Sequence, residues 1–300
     1  MICMETVKTQ VTDLMTRIDF PVESQSVFLA ALDRIGADKV ATAWLGSLMA
    51  HYDKGEQCNY KQMLAEAVAL GEAMGIHEYT ISMLLFLCLG AKLKERYAER
   101  GYDEEVYYAS MADLRYKLEE CRLVKGEVGS FVASWFPGFF NLTRFALGRL
   151  QFELIKTAKD WTVDGKLLPA GSRVINMHIP RTGTRLDHAL VEDSYRRAAA
   201  WFAEELEGNI VFTCSSWMLY PWHLEVLSPT SNMVTFYHDF EVVEWGTYDN
   251  YDSIWRFFDC PWTGNVDDLP GDSSLRRAYI DLIRRGEPSG WGRGFFAWKA

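Results

Sequence analysis

Up to about residue 145 the apolar positions of the chain recur at helical spacing. Phe28, Leu29, Leu32 and Ile35 form one stripe behind Pro21-Val-Glu-Ser24, and Met63, Ala67, Leu70 and Met74 form another that stops at Gly75. Residues 81–93 are apolar nearly all round, the signature of a buried central helix. Asp103 stands where it would cap a helix carrying Tyr107, Met111, Leu114 and Leu118. No alternating β-branched run interrupts these segments, so residues 1–145 are expected to form a helical domain, a bundle or an irregular one. At Phe131-Val-Ala-Ser-Trp-Phe-Pro-Gly-Phe-Phe140 the texture changes. Four aromatics around Pro137 and Gly138 are poor linker composition and predict a packed seam between two domains.

Beyond the seam the period falls towards two. Leu150, Phe152 and Leu154 alternate with Gln151 and Glu153; residues 174–179 and 210–214 read as further strands, and 233–243 as a long fourth. One clear helix, 187–206, separates the second strand from the third, with Val191, Tyr195, Ala198 and Phe202 on its core face and Gly208 placed for a left-handed terminus. A last helix, capped by Asp272 or Ser273, carries Leu275, Tyr279 and Leu282, and the chain closes on a glycine-rich aromatic tail, 291–298. The expected fold class is α+β with two domains: a helical domain over 1–145 and a mixed α/β domain over 146–300.

Composition narrows the partners. Nearly half of the 300 residues are apolar and 14% aromatic, enough for a sizeable core without disulfides. The net charge of −10 is shared evenly between the two halves, and neither holds a basic stripe, so nucleic acid is not an expected partner. Residues Met1-Ile-Cys-Met-Glu-Thr-Val-Lys8 lack the basic-then-apolar run of a signal peptide, and the longest apolar stretch, near 83–89, is far short of the ~20 residues that span a bilayer. Six scattered cysteines without a C-x-x-C pair read as free thiols. A cytoplasmic location without a membrane partner is the expectation; nothing in the sequence sets the oligomeric state.

The sharpest chemical feature is a strand, a loop Pro180-Arg-Thr-Gly-Thr-Arg-Leu186, and the helix that follows. Such a loop leads into a helix N-terminus, where unpaired N–H groups favour an anion; Arg181 and Arg185 flank it, and Thr182 and Thr184 add hydroxyls. A pyrophosphate would fit, and so would an ordinary strand-to-helix turn with solvated arginines. The loop matches neither the G-x-x-x-x-G-K of a P-loop nor G-x-G-x-x-G. His188, His223 and His238 have no spacing with cysteines or acids that resembles a metal site, and no metal is expected. No G-x-S-x-G elbow is present either.

Gly148-Arg-Leu-Gln-Phe-Glu153, His178-Ile-Pro180 with its loop, Ser216-Trp-Met-Leu-Tyr-Pro221, Ser231-Asn232 and Gly292-Arg-Gly-Phe-Phe296 together carry a family resemblance. The chain resembles the GNAT superfamily of N-acyltransferases, and within it bacterial two-domain proteins with a helical amino-terminal and a GNAT-like carboxy-terminal domain. The resemblance implies acetyl-CoA or another acyl-CoA as co-substrate and a small-molecule amine as acceptor. It implies that strands 174–179 and 210–215 splay apart to admit the pantetheine arm, against the backbone of Met177, Ile179 and Ser215. The pyrophosphate would lie on Arg181, Thr182, Gly183, Thr184 and Arg185, a loop whose lone glycine departs from the usual R/Q-x-x-G-x-G/A.

Attack of an amine on a thioester needs a base for the ammonium, a donor for the oxyanion and an acid for the thiolate. His178 is the candidate base, or a satisfied strand histidine; Tyr220 the candidate acid, or an anchoring aromatic beside Trp217 and Trp222. Glu153, Glu241 and Glu244 are possible bases or ammonium ligands, or surface carboxylates, and Cys214 reads as a structural thiol. The alternative to an enzyme is a catalytically idle GNAT-like acyl-CoA-binding or sensor protein; a carbohydrate- or nucleotide-processing enzyme using the same loop is a third reading.

Overall fold

The computed structural model describes residues 2–53, 58–206 and 208–299, and the chain divides into two compact units, 1–145 and 146–300. The first unit is built of helices. Its helices are α1 (Met4–Arg17), α2 (Val22–Gly36), α3 (Lys39–Tyr52), α4 (Tyr60–Met74), α5 (Glu78–Glu99), α6 (Glu104–Lys125) and the single turn α7 (Pro137–Phe140). As its composition requires, α5 is the centre: every residue from Thr80 to Gly90 is buried. Two glycines let neighbours approach it closely. A side chain at Gly90 would strike Leu14 of α1, and one at Gly71 of α4 would meet Ile81 at 2.6 Å. Asp38 and Asn59 cap α3 and α4 by accepting backbone N–H groups. Asp103 does stand at the N-cap of α6, but its carboxylate takes no capping hydrogen bond.

The aromatic segment read from the sequence as a seam enters the core of this unit. Phe136, Phe139 and Phe140 are buried, Phe86 of α5 packs on Phe136 and Phe140, and the Tyr52 hydroxyl donates to the Phe140 carbonyl at 3.0 Å. No single helix among the described residues is long and apolar enough to cross a membrane.

The second unit is built on a six-stranded sheet. Its strands are β1 (Arg144–Leu147), β2 (Leu150–Lys156), β5 (Arg173–His178), β6 (Val211–Ser216), β7 (Glu241–Thr247) and β8 (Gly290–Ala297), in the order β1-β2-β5-β6-β8-β7; a separate hairpin joins β3 (Trp161–Val163) to β4 (Lys166–Leu168). β5 and β6 run parallel, whereas β5 with β2, β6 with β8 and β7 with β8 are antiparallel. One face carries Phe152, Phe212 and Phe296 and is covered by α8 (His188–Trp201), whose Tyr195 ring lies 5.4 Å from Phe212 and 4.9 Å from Phe296. The other face carries Val174, Val211 and Phe295 and receives the β3–β4 hairpin through Trp161, Val163 and Leu168.

Three expectations change here. The helix expected over 187–206 breaks after Trp201 and resumes as the turn α9 (Ala203–Leu206). The long strand expected over 233–243 is a short helix, α11 (Asn232–Tyr237), followed by β7. Ser231 decides the first part: its hydroxyl accepts the Val234 N–H, a capping bond that competes with extended backbone. The tail expected to follow the last helix is β8, seated between β6 and β7. Glycine is a poor strand former, and the reason it serves here lies on one face of β8. A side chain at Gly290 would meet the Tyr220 ring, one at Gly292 the Leu219 carbonyl, and one at Gly294 the Phe240 side chain. The glycine row makes room for the segment that leaves β6.

That segment runs through a 3₁₀ turn, 217–219, into α10 (His223–Val226), and packs on α12 (Trp255–Phe258) and α13 (Ser274–Arg284), the latter capped by Ser273. Tyr279 stacks on Phe257 at 4.2 Å and meets His223 Nε2 at 2.8 Å. His223 is fully buried, and burial lowers its pKa to about 4. The unfolded chain therefore binds this proton more tightly than the folded one. The stability gained by keeping the ring neutral is complete above an unfolded pKa of about 6.5 and is lost as pH falls towards the folded value, about 3 kcal/mol in all. Urea midpoints should accordingly fall less between pH 7 and pH 4.5 in His223→Gln than in the natural chain; equal falls would show that His223 does not titrate with unfolding.

Candidate active site

The strands β5 and β6 pair at only two positions, Ile175 with Phe212 and Asn176 with Thr213, although they continue to His178 and Ser216. Beyond Thr213, β6 stays with β8 and β5 stays with β2. The two parallel strands thus part at their carboxyl ends, and the backbone edges of 177–178 and 214–216 face the opening. An extended arm with amide groups can lie in such a gap and pair with both edges.

At the mouth of the gap the structure joins two residues that the sequence left apart. Glu153 stands on β2 opposite Asn176, two residues short of His178 on the same face of β5, and its Oε1 lies 2.6 Å from His178 Nε2. Both side chains are about one-fifth exposed, so the pair is reachable from solvent but largely shielded from it. A histidine so placed can take a proton while the carboxylate balances the charge it acquires.

Tyr220 lies on the opposite face of the sheet, over Gly290, among Trp222, His223 and Trp245. Burial, with help from the Glu225 and Glu287 charges, raises the pKa of its phenol, so it keeps its proton at neutral pH. The geometry sets a proton acceptor on one side of the gap and a phenol on the other.

The loop after β5 is held from several sides. Arg149 donates to the carbonyls of Pro180 and Thr184, Arg181 pairs with Asp259 at 2.8 Å, and Asp259 in turn pairs with Arg276. The hydroxyls of Thr182 and Thr184 bond each other at 2.7 Å, and Gly183 sits at φ +79° with open space around it. Arg185 is exposed. At the start of α8 the Asp187 carboxylate accepts the Ala189 N–H, so this helix N-terminus already has a negative partner.

Ser215 lies level with His178 across the parted strands and, with Ser216, Tyr248, Trp291 and Arg293, lines a cavity of about 280 Å³. The other carboxylates have local duties. Glu244 pairs with Lys159 and Arg293, and Glu241 accepts the Asp164 N–H of the β3–β4 turn. Cys214 is buried, and burial raises its thiol to about 12, which leaves it protonated and unreactive. Sequence reasoning passed over Asn176, Arg149, Asp259 and the cavity aromatics. Only Asn176 had a local signal, its place two residues before His178 on the same strand face.

Comparison with known proteins gives two family models end to end. Residues 9–142 match the N-acyltransferase N-terminal domain and residues 144–296 the GNAT-like C-terminal domain. A comparison with curated proteins finds no match. Among solved structures, an acyltransferase in complex with decanoyl-CoA and teicoplanin is similar at 24% identity and TM-score 0.75, over 96% of this chain and 88% of that one. An acyltransferase mutant in complex with octanoyl-CoA is similar at 22% identity and TM-score 0.73, over 97% and 88%. At this identity the solved structures support the fold. The family models span nearly the whole chain, and with them it belongs to the acyltransferases that join a helical N-acyltransferase N-terminal domain to a GNAT-like C-terminal domain.

Proposed function

We propose that the chain is an acyl-CoA-dependent N-acyltransferase that acylates an amine of a small-molecule acceptor. The observation that carries this reading is the parted β5–β6 edge with the Glu153–His178 pair at its mouth. In it the pantetheine arm lies between the strands against Met177, Ile179 and Ser215, and the pyrophosphate meets the loop 181–185. His178 takes the proton of the attacking ammonium, and Tyr220, protonated at neutral pH, returns one to the leaving thiolate. The sequence resemblance suggested acetyl transfer; the similar solved acyltransferases, which carry octanoyl- or decanoyl-CoA and in one case teicoplanin, favour a medium-chain donor instead.

Calorimetric titration with acetyl-, octanoyl- and decanoyl-CoA, followed by thiol release over an amine panel, tests it. Binding with turnover is expected; binding without turnover across the panel would favour the idle acyl-CoA-binding module, and no binding would sink both. The loop has its own test. Arg181→Ala should weaken acyl-CoA binding, most at low salt, whereas Asp259→Asn removes the carboxylate charge that competes for the guanidinium and should not weaken it. Unchanged affinity in Arg181→Ala would leave Arg181 as a partner of Asp259 alone.

A further inference from the structure

Asn176 occupies β5 directly opposite Glu153 and on the same face as His178. Its Nδ2 lies 3.2 Å from Glu153 Oε1 and 3.1 Å from His178 Nε2, and that same Oε1 lies 2.6 Å from Nε2. Three polar atoms in so tight a triangle admit few arrangements of protons. Turned the other way, the amide would set Oδ1 against a carboxylate oxygen, two acceptors with no proton between them. The amide therefore presents Nδ2, and Nδ2 donates to Glu153.

A carboxylate oxygen that accepts from an amide is favoured in its ionised form. Against an ionised oxygen at 2.6 Å, a lone pair on Nε2 would face another lone pair, so the proton must sit on Nε2. The neutral ring then carries its lone pair on Nδ1. We infer that Asn176 is a positioning residue: its side-chain amide anchors Glu153 and thereby holds neutral His178 in the Nε2–H tautomer, so that Nδ1 is the nitrogen that takes the proton from the acceptor amine. The last clause rests on the acyltransfer reading above; the tautomer does not.

The test uses the full chain labelled with ¹⁵N-histidine, together with Asn176→Leu and Asn176→Asp. In the natural chain, above the titration of the ring, long-range ¹H–¹⁵N spectra should show His178 as the Nε2–H tautomer, its signals assigned by their loss in His178→Ala. An Nδ1–H ring would overturn the inference even if no variant folded. Asn176→Asp keeps the size of the side chain and loses the donor, so it should fail as Asn176→Leu does, with kcat down on the order of 10- to 100-fold and the KM for acyl-CoA unchanged. Full turnover in Asn176→Asp would mean that shape suffices, and would equally overturn it. Full turnover in His178→Ala removes the base from the acyltransfer reading, while the spectrum still decides the tautomer, so the two failures are distinguishable.

Discussion

His178→Ala lowers kcat by a factor of about 10²–10⁴, the usual worth of a positioned general base, and leaves acyl-CoA affinity unchanged. The expectation follows from where the ring is held. The amine acceptor of the proposed reaction would arrive at neutral pH mostly as ammonium, which has no lone pair for the thioester carbonyl. His178 stands at the end of β5, at the mouth of the parted strands, with Glu153 2.6 Å away to offset the charge it acquires. The pair is largely shielded from water, which strengthens that interaction. Glu153→Gln should keep the shape and lose the counter-charge, and so fall between the natural chain and His178→Ala. Single-turnover thiol release separates this loss from any change in binding. A His178→Ala chain that folds, binds acyl-CoA and turns over normally would remove His178 from the proposed role of general base.

Phe212→Ala is expected to destabilise the second unit by about 3–5 kcal/mol, the range for truncating a buried phenylalanine. Phe212 is fully buried on β6, stacked at 4.9 Å on Phe296 and packed edge-on against Phe152 at 5.9 Å, with Tyr195 and Trp298 around it. It also belongs to one of the two residue pairs that join β5 to β6. Few ladder bonds hold these strands together, so side-chain packing must fix the point from which they part. Truncation should therefore lower the urea midpoint and weaken acyl-CoA binding together, while Phe212→Leu should keep most of both. A small change in midpoint for Phe212→Ala would show that the aromatic stack is dispensable.

The helical half was legible because burial there follows local period. Residues 81–93 have no polar face, and α5 is central for that reason; α4 ends at Gly75, where its apolar stripe stops. The strands at 150–154, 174–179 and 210–214 were legible by alternation. The run from Met233 misled because β-branched and aromatic residues suit a short buried helix as well as a strand, and Ser231 tips the balance through one hydrogen bond. The tail misled in the opposite sense: a glycine row that looks like loop is a strand whose bare face is filled by Leu219, Tyr220 and Phe240.

The candidate site divides in the same way. The sequence by itself determined which residue types stand on which strand: His178 at the end of one, Glu153 outward on another, an arginine- and glycine-bearing loop before a helix. Alternation and turn chemistry are local, and a local rule can be read from neighbours in the chain. Only the tertiary structure decided that Glu153 and His178 meet, that the Asn176 amide touches both, that Tyr220 stands on the other face, and that Arg181 is held by a residue 78 positions away. Those choices depend on strand order and register, and on where two parallel strands stop pairing. They are set by packing among residues far apart in sequence, and no window of the chain contains them.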